Sequence, residues 1–233
     1  RGDDKEYEDW GSSIHSWRSN PLLSEKDIDE ARRSITRALF AQEYECEWTT
    51  TESQIYEALD EAKHINDYVG ERFAEVLAGL DVGYRDENVF VVIGFDGENY
   101  FIIDEYVSKE STTSELASAI QEKIDEWNID SIYIDSAAQQ VKADFAYDYD
   151  IYCENAIKSV NDGINFLQVL IESDRLFFDT LGASHTFSAM SSYKWNPNTE
   201  TPKPVHDWAS HPCDAVRYAI YTHSKMSNIS IYA

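Results

Sequence analysis

Apolar residues recur at helical spacing through the first third of the chain, then give way after Glu75 to short β-branched and aromatic runs. Ser24-Glu25-Lys26-Asp27 offers a capping serine with an acid three residues later, and Ile28, Ala31, Ile35 and Leu39 continue one face. This predicts one helix from Ser24 to about Cys46. Ile55, Leu59, Ala62, Ile65 and Val69 predict a second, with Gly70 where a C-cap glycine would stand. Before them, the first ten residues are polar and expected to fray, and Trp10 to Leu23 reads as irregular, with Asn20-Pro21 as a turn.

The later pattern is that of a sheet. Val76 to Asp81, Val89 to Phe95 and Tyr100 to Val107 are predicted as three successive antiparallel strands, with Asp96-Gly97-Glu98-Asn99 as a hairpin turn. Alternation follows: a helix over Ser111 to Trp127, a strand over Ser131 to Asp135 and a helix over Ala137 to Tyr147. A strand over Ile151 to Cys153, a helix over Val160 to Ser173 and a strand over Arg175 to Phe178 come next. Asn196 to Pro204 holds three prolines and must be a loop or distorted hairpin, and a last helix begins at Trp208, with Ala215, Tyr218, Ala219 and Thr222 on one face. Three antiparallel strands followed by helix–strand alternation imply an α/β fold, a mixed sheet with helices on both faces, which is the RNase H-like order.

Composition narrows the classes. No apolar run approaches eighteen residues, so no membrane span is expected, and the polar N-terminus excludes a signal peptide. Cys46, Cys153 and Cys213 are widely spaced without a CxxC pair, which argues against disulfides or structural zinc and for a reducing compartment. The net charge of −25 opposes unaided nucleic-acid binding, which rests on basic residues. Bound metal and a separate basic domain can offset it.

Carboxylates supply the candidate chemistry. Asp81 closes the first strand in Gly79-Leu80-Asp81-Val82-Gly83, Asp135 ends the fourth, and Asp214 begins the final helix. Acids delivered from separate elements suit hard divalent cations, with a substrate phosphate completing the coordination. Each acid taken singly also fits a turn or cap role. Their joint placement points to chemistry.

The segment His211-Pro212-Cys213-Asp214-Ala215-Val216-Arg217-Tyr218-Ala219 resembles the closing H-x-x-D-A-x-R-Y-A stretch of the large terminase subunits of tailed bacteriophages and their herpesvirus relatives. Leu80-Asp81-Val82-Gly83 resembles the family's opening acid strand, and Tyr133-Ile134-Asp135 its second. Lys158 to Ile164 and Tyr193 to Asn196 also resemble family segments, and Ser19 to Leu23 and Phe40 to Tyr44 resemble the end of the terminase ATPase domain. The resemblance implies an endonuclease domain that cuts concatemeric double-stranded DNA by attack of metal-activated water. It implies Mg²⁺ or Mn²⁺ as cofactor, two ions with DNA bound. Asp81 would bridge them, with Asp135 and Asp214 each helping to hold one and His211 at the metal.

For His211 the alternative is a helix-start histidine held by hydrogen bonds. Asp207 is a weaker candidate, Lys158 is a candidate phosphate contact, and Arg217 is expected to pair with an acid. The resemblance also implies the portal protein and the small terminase subunit as partners, and the host cytoplasm as location. No GxxxxGK[ST] loop is present, so the chain is expected to be a fragment without an ATP site. Residues 1–70 are read as ATPase remnant and linker, and residues 71–233 as the nuclease domain. The rivals are another RNase H-like nuclease of the resolvase type, and a non-catalytic interaction module with the same fold.

Overall fold

A computed structural model describes residues 15–46, 54–68, 72–83, 86–199 and 201–227, which fall into two compact units, one before residue 53 and one after it. In the first unit the capping box at Ser24 forms as expected. Ser24 Oγ accepts from the Asp27 amide at 3.2 Å and Asp27 returns the bond to the Ser24 amide at 2.9 Å. The single helix expected up to Cys46 is instead two, α1 (Glu25–Ser34) and α2 (Arg37–Glu45). Ile35 is extended, and Thr36 restarts the helix by accepting from the Leu39 amide at 3.2 Å. A capping threonine after a β-branched residue outweighs the continuing apolar spacing.

The second unit is built on a sheet of β1 (Ile65–Asn66), β2 (Glu75–Asp81), β3 (Glu87–Phe95), β4 (Tyr100–Lys109), β5 (Ser131–Ile134), β6 (Glu154–Asn155) and β7 (Leu176–Asp179). Their order is β1-β7-β4-β3-β2-β5-β6. β2, β3 and β4 pair antiparallel, whereas β5 lies parallel to β2, β6 to β5, β7 to β4 and β1 to β7. The helices are α3 (Glu61–His64), α4 (Thr113–Trp127), α5 (Gln139–Asp148), α6 (Val160–Glu172), α7 (Ser184–Ser192) and α8 (Ser210–Met226).

Strand periodicity assigns the two faces. Ala78, Leu80, Phe90, Val92, Ile132 and Ile134 bury against Leu116, Ala117 and Ile120 of α4 and Phe145 of α5. The alternate residues of β2 face the other way, where Gly79 lies against the backbone of α8 at Ala215. The expected mixed sheet with helices on both faces is therefore present. β3, buried along its whole length, is covered on both sides.

Two expectations fail in this unit, and one helix falls where none was expected. The helix expected over Ile55 to Val69 is absent as far as residue 68, while Val69 and Gly70 lie outside the described residues. The Ile55 amide donates to the Tyr193 carbonyl at 2.8 Å, α3 is a single short turn, and Ile65–Asn66 pairs with Phe178–Asp179. Long-range pairing has overridden local spacing here. The strand expected over Ile151 to Cys153 lies three residues later, at Glu154–Asn155, where Tyr133 and Ile134 supply pairing partners. Helix α7 was not foreseen. Its start depends on Glu105 of β4, which accepts from the His185 amide at 2.7 Å and the Thr186 amide at 2.8 Å. Among the described residues no helix is long and apolar enough to cross a membrane.

Candidate metal centre

The parallel register of β2 and β5 pairs Leu80 with Ile134. The next residue on each strand is an aspartate, Asp81 and Asp135. Both therefore leave the ends of adjacent strands on the face opposite the α4 side, the face that meets α8. Gly79 sets how close that helix comes: a β-carbon there would lie 1.9 Å from the Ala215 carbonyl oxygen. Glycine removes this obstacle and lets α8 rest directly on β2. Asp214 sits one turn into α8, with His211 and Tyr218 at helical spacing on the same side.

Each acid is held by a basic partner from this chain. His211 Nδ1 lies 2.8 Å from Asp81 Oδ2, Lys158 Nζ 2.5 Å from Asp135 Oδ1, and Arg217 Nη2 2.8 Å from Asp214 Oδ1. Asp135 also accepts from the Ala137 amide at 2.8 Å and, more weakly, from the Tyr218 hydroxyl at 3.4 Å. Arg217 is 3% exposed, and its aliphatic stem fills the space that Gly163 of α6 leaves open, 2.7 Å from where a β-carbon would be.

The electrostatics separate the acids. Burial pushes the Asp81 carboxyl above its ordinary range, and Asp214 and Asp135 push the same way. The His211 hydrogen bond opposes them without prevailing. At Asp135 burial also pushes upward, but Lys158, the Ala137 amide and Tyr218 together leave the carboxyl below its ordinary range. Asp81 raises His211 through their hydrogen bond, with burial opposing. Both members of the His211–Asp81 pair are thus raised, although an isolated ion pair lowers its acid. Burial is the larger cause at Asp81, and repulsion from two further carboxylates adds to it beyond what one imidazole relieves.

That unrelieved repulsion and an all-oxygen carboxylate set fit a hard divalent cation. An ion that binds only the folded protein stabilises it by RT ln(1 + [L]/Kd), about 2.7 kcal/mol at a hundredfold excess over Kd. Millimolar Mn²⁺ is expected to raise the melting midpoint in high monovalent salt, and to raise it much less in Asp81→Ala. Calorimetric or dichroism melts check this. An equal rise in both proteins would reflect screening of the acidic surface alone.

Residues 78–222 match the family model described as the terminase RNaseH-like domain. The chain belongs to that family. Over 96% of its length it is 37% identical to the large terminase subunit of Escherichia phage T5, of which the match covers 54%. Its fold is similar to that of the large terminase of thermophilic bacteriophage D6E, with a TM-score of 0.76, 21% identity and coverage of 91% of this chain and 54% of that one. It is also similar to the large terminase nuclease domain of bacteriophage SPP1, solved with bound Mn, with a TM-score of 0.57, 21% identity and coverage of 71% and 97%. This terminase-family chain spans about half the length of the phage T5 and D6E proteins. The RNase H-like order read from the strand pattern is the fold it has.

Of the residues singled out in the sequence, Asp81, Asp135, Asp214 and His211 come together. Lys158 joins them through Asp135, and Arg217 pairs with an acid as expected. Asp207 lies apart from this role: its carboxylate and carbonyl take the Ala209 and Ser210 amides at the entry to α8. Tyr218 was missed as a site residue. All three acids, together with burial, push its hydroxyl far up, so it stays a protonated donor. Its position, four residues after Asp214, was the available signal.

Proposed function

We propose that this chain is the metal-dependent endonuclease part of a large terminase subunit, cutting concatemeric double-stranded DNA during genome packaging. The observation that carries the reading is the convergence of Asp81, Asp135 and Asp214 from two strand ends and a helix, with Asp81 pushed up first by burial and then by the other two acids. Family membership supports it, as does the Mn bound by the SPP1 domain. Mg²⁺ or Mn²⁺ held here, two ions with DNA in place, would supply the activation of a water nucleophile and the charge neutralisation that phosphodiester cleavage needs.

The chain's own residues do the positioning. Asp81, Asp135 and Asp214 would hold the ions, His211 orients Asp81, and the buried Arg217 fixes the rotamer of Asp214. Tyr218 donates to Asp135. Lys158 is half exposed and paired with Asp135, a position from which its ammonium would reach a substrate phosphate. Lys158→Ala is therefore expected to reduce the salt slope of DNA binding by about one, measured by titration at several ionic strengths.

The remaining assignments belong to this proposal. Residues 1–70 are ATPase remnant and a linker whose last part, Ile65–Asn66, pairs onto the nuclease sheet; the partners include the rest of that polypeptide, the portal protein and the small terminase subunit, and the location is the host cytoplasm. The test is plasmid nicking and linearisation in Mg²⁺ or Mn²⁺ against a chelator control. Cutting that needs the cation is the expected result. A folded chain that leaves DNA intact in both cations contradicts the reading and favours the non-catalytic module.

A further inference from the structure

We propose that Trp208, backed by the ring of His185, is a stacking platform for an unpaired DNA base beside the carboxylate centre. This rests on the nuclease reading and names the form of DNA that the centre takes. Trp208 is 44% exposed at the entry to α8, and its indole packs on His185 with ring centroids 5.6 Å apart. A ring held by a neighbour yet open to solvent is what stacking on a base requires.

The backing ring is fixed from two strands. The His185 amide donates to Glu105 of β4 at 2.7 Å, and His185 Nε2 lies 3.2 Å from Glu87 Oε2 at the start of β3. Lys109, opposite Glu87 in the register of β3 and β4, holds the same carboxylate at 3.2 Å. A platform already ordered loses little freedom when a base settles on it. It also lies near the centre. Trp208 precedes His211 by three residues, and an oxygen of Asp86, the neighbour of Glu87, lies within 4.8 Å of a His211 ring nitrogen. At about 3.4 Å per nucleotide along one strand, the indole stands a few nucleotides from a phosphate at the carboxylates.

Charge decides which part of the DNA the indole meets. Asp86 and Asp207 are exposed beside it, and Lys109 is engaged by Glu87. A phosphate is repelled at such a rim, whereas the uncharged face of a base is not. Stacking also supplies affinity that does not depend on basic residues, which suits a chain of net charge −25. A paired base keeps its faces inside the duplex. The platform therefore selects DNA whose strand is already open near the cut, at a frayed end or a gap.

Fluorescence anisotropy of short end-labelled strands tests the platform without relying on cutting. The chain is titrated in Ca²⁺, a hard ion that neutralises carboxylates, and the strands are recovered intact. One strand is of thymidines, and the other is equally long and equally charged but carries no bases. The wild-type chain is expected to prefer the thymidine strand by about tenfold, the size of one stacked base. Trp208→Ala should bind both strands alike, and Trp208→Phe, which keeps a ring, should retain part of the preference. A blunt duplex should bind wild type and Trp208→Ala almost equally. Wild-type chain that binds the two strands alike, or binds neither, overturns the proposal. So does a preference that survives in Trp208→Ala. Duplex binding that weakens as much in that variant would place the indole against the backbone and overturn it too. Plasmid cutting is scored separately. A chain that shows the base preference but leaves plasmid intact in Mg²⁺ and Mn²⁺ keeps the platform and contradicts the nuclease reading.

Discussion

Asparagine at Asp81, Asp135 or Asp214 is expected to reduce DNA cutting by about a thousandfold or more, as follows when several kcal/mol of metal-borne stabilisation is lost at 1.36 kcal/mol per factor of ten. Stability should respond differently at each position. Asp81 carries a charge that burial and two neighbouring acids oppose, and an asparagine amide in its place keeps an oxygen for His211. Asp81→Asn is therefore expected to melt at or above the wild-type temperature in metal-free buffer and to gain little from Mn²⁺. Asp214→Asn should melt lower. It removes the charge facing Arg217, whose guanidinium is 3% exposed and whose Nη1 already has no partner among the described residues. Removing one member of a buried pair costs up to about 3–5 kcal/mol, and less here because Asp214 is partly solvated. Loss of cutting with unchanged or raised stability at Asp81 separates a metal-holding acid from a structural one. Normal cutting in any two of the variants would remove the site assignment.

Gly79→Ala is expected to damage the fold more than any other single-methyl change on β2. Its new carbon would lie 1.9 Å from the Ala215 carbonyl oxygen and 2.7 Å from the carbonyl carbon, both of them backbone atoms of α8. Helix and strand must separate, at a cost of about 1–3 kcal/mol for overpacking. For a unit of this size that lowers the melting midpoint by roughly 2–12 °C. The same separation carries Asp214 away from Asp81, so cutting should fall by about tenfold or more even where the variant is folded, as happens when a reacting group is misplaced by about 1 Å. Gly163→Ala offers a graded comparison. Its new carbon meets the flexible stem of Arg217 at 2.7 Å, which can give way without moving the helix backbone. A smaller loss of stability is expected there, measured by the same melts. If both glycine variants melt and cut like the wild type, close approach of α8 is not what aligns the acids.

The site was legible in the sequence where its position depends on local periodicity. The apolar runs Val76 to Asp81 and Ser131 to Asp135 read as strands that each deliver an acid at the C-terminal end, and α8 announces itself through Ala215, Tyr218 and Ala219. The relation between elements was less accessible. That Leu80 pairs with Ile134, and so aligns Asp81 with Asp135, is a long-range register. Lys158 reaches Asp135 from the segment entering α6, and no local pattern points to that contact. The failures elsewhere have the same origin. Ile55 to Ile65 carries helical spacing, yet Ile55 bonds to Tyr193, and Ile65 pairs with Phe178. Helix α7 depends on Glu105, a strand residue far away in sequence, to take its first amides. At Thr36 the signal is local, a capping threonine behind a β-branched residue, but apolar spacing on both sides masks it in the sequence.

The central claim is that Asp81, Asp135 and Asp214 together hold divalent ions. A crystal of the chain grown or soaked with Mn²⁺ and measured for anomalous scattering tests this most directly. The account predicts anomalous density among these three carboxylates, with Lys158 withdrawn from Asp135. Mn²⁺ found elsewhere, or absent, with the three acids still paired to His211, Lys158 and Arg217, would contradict it.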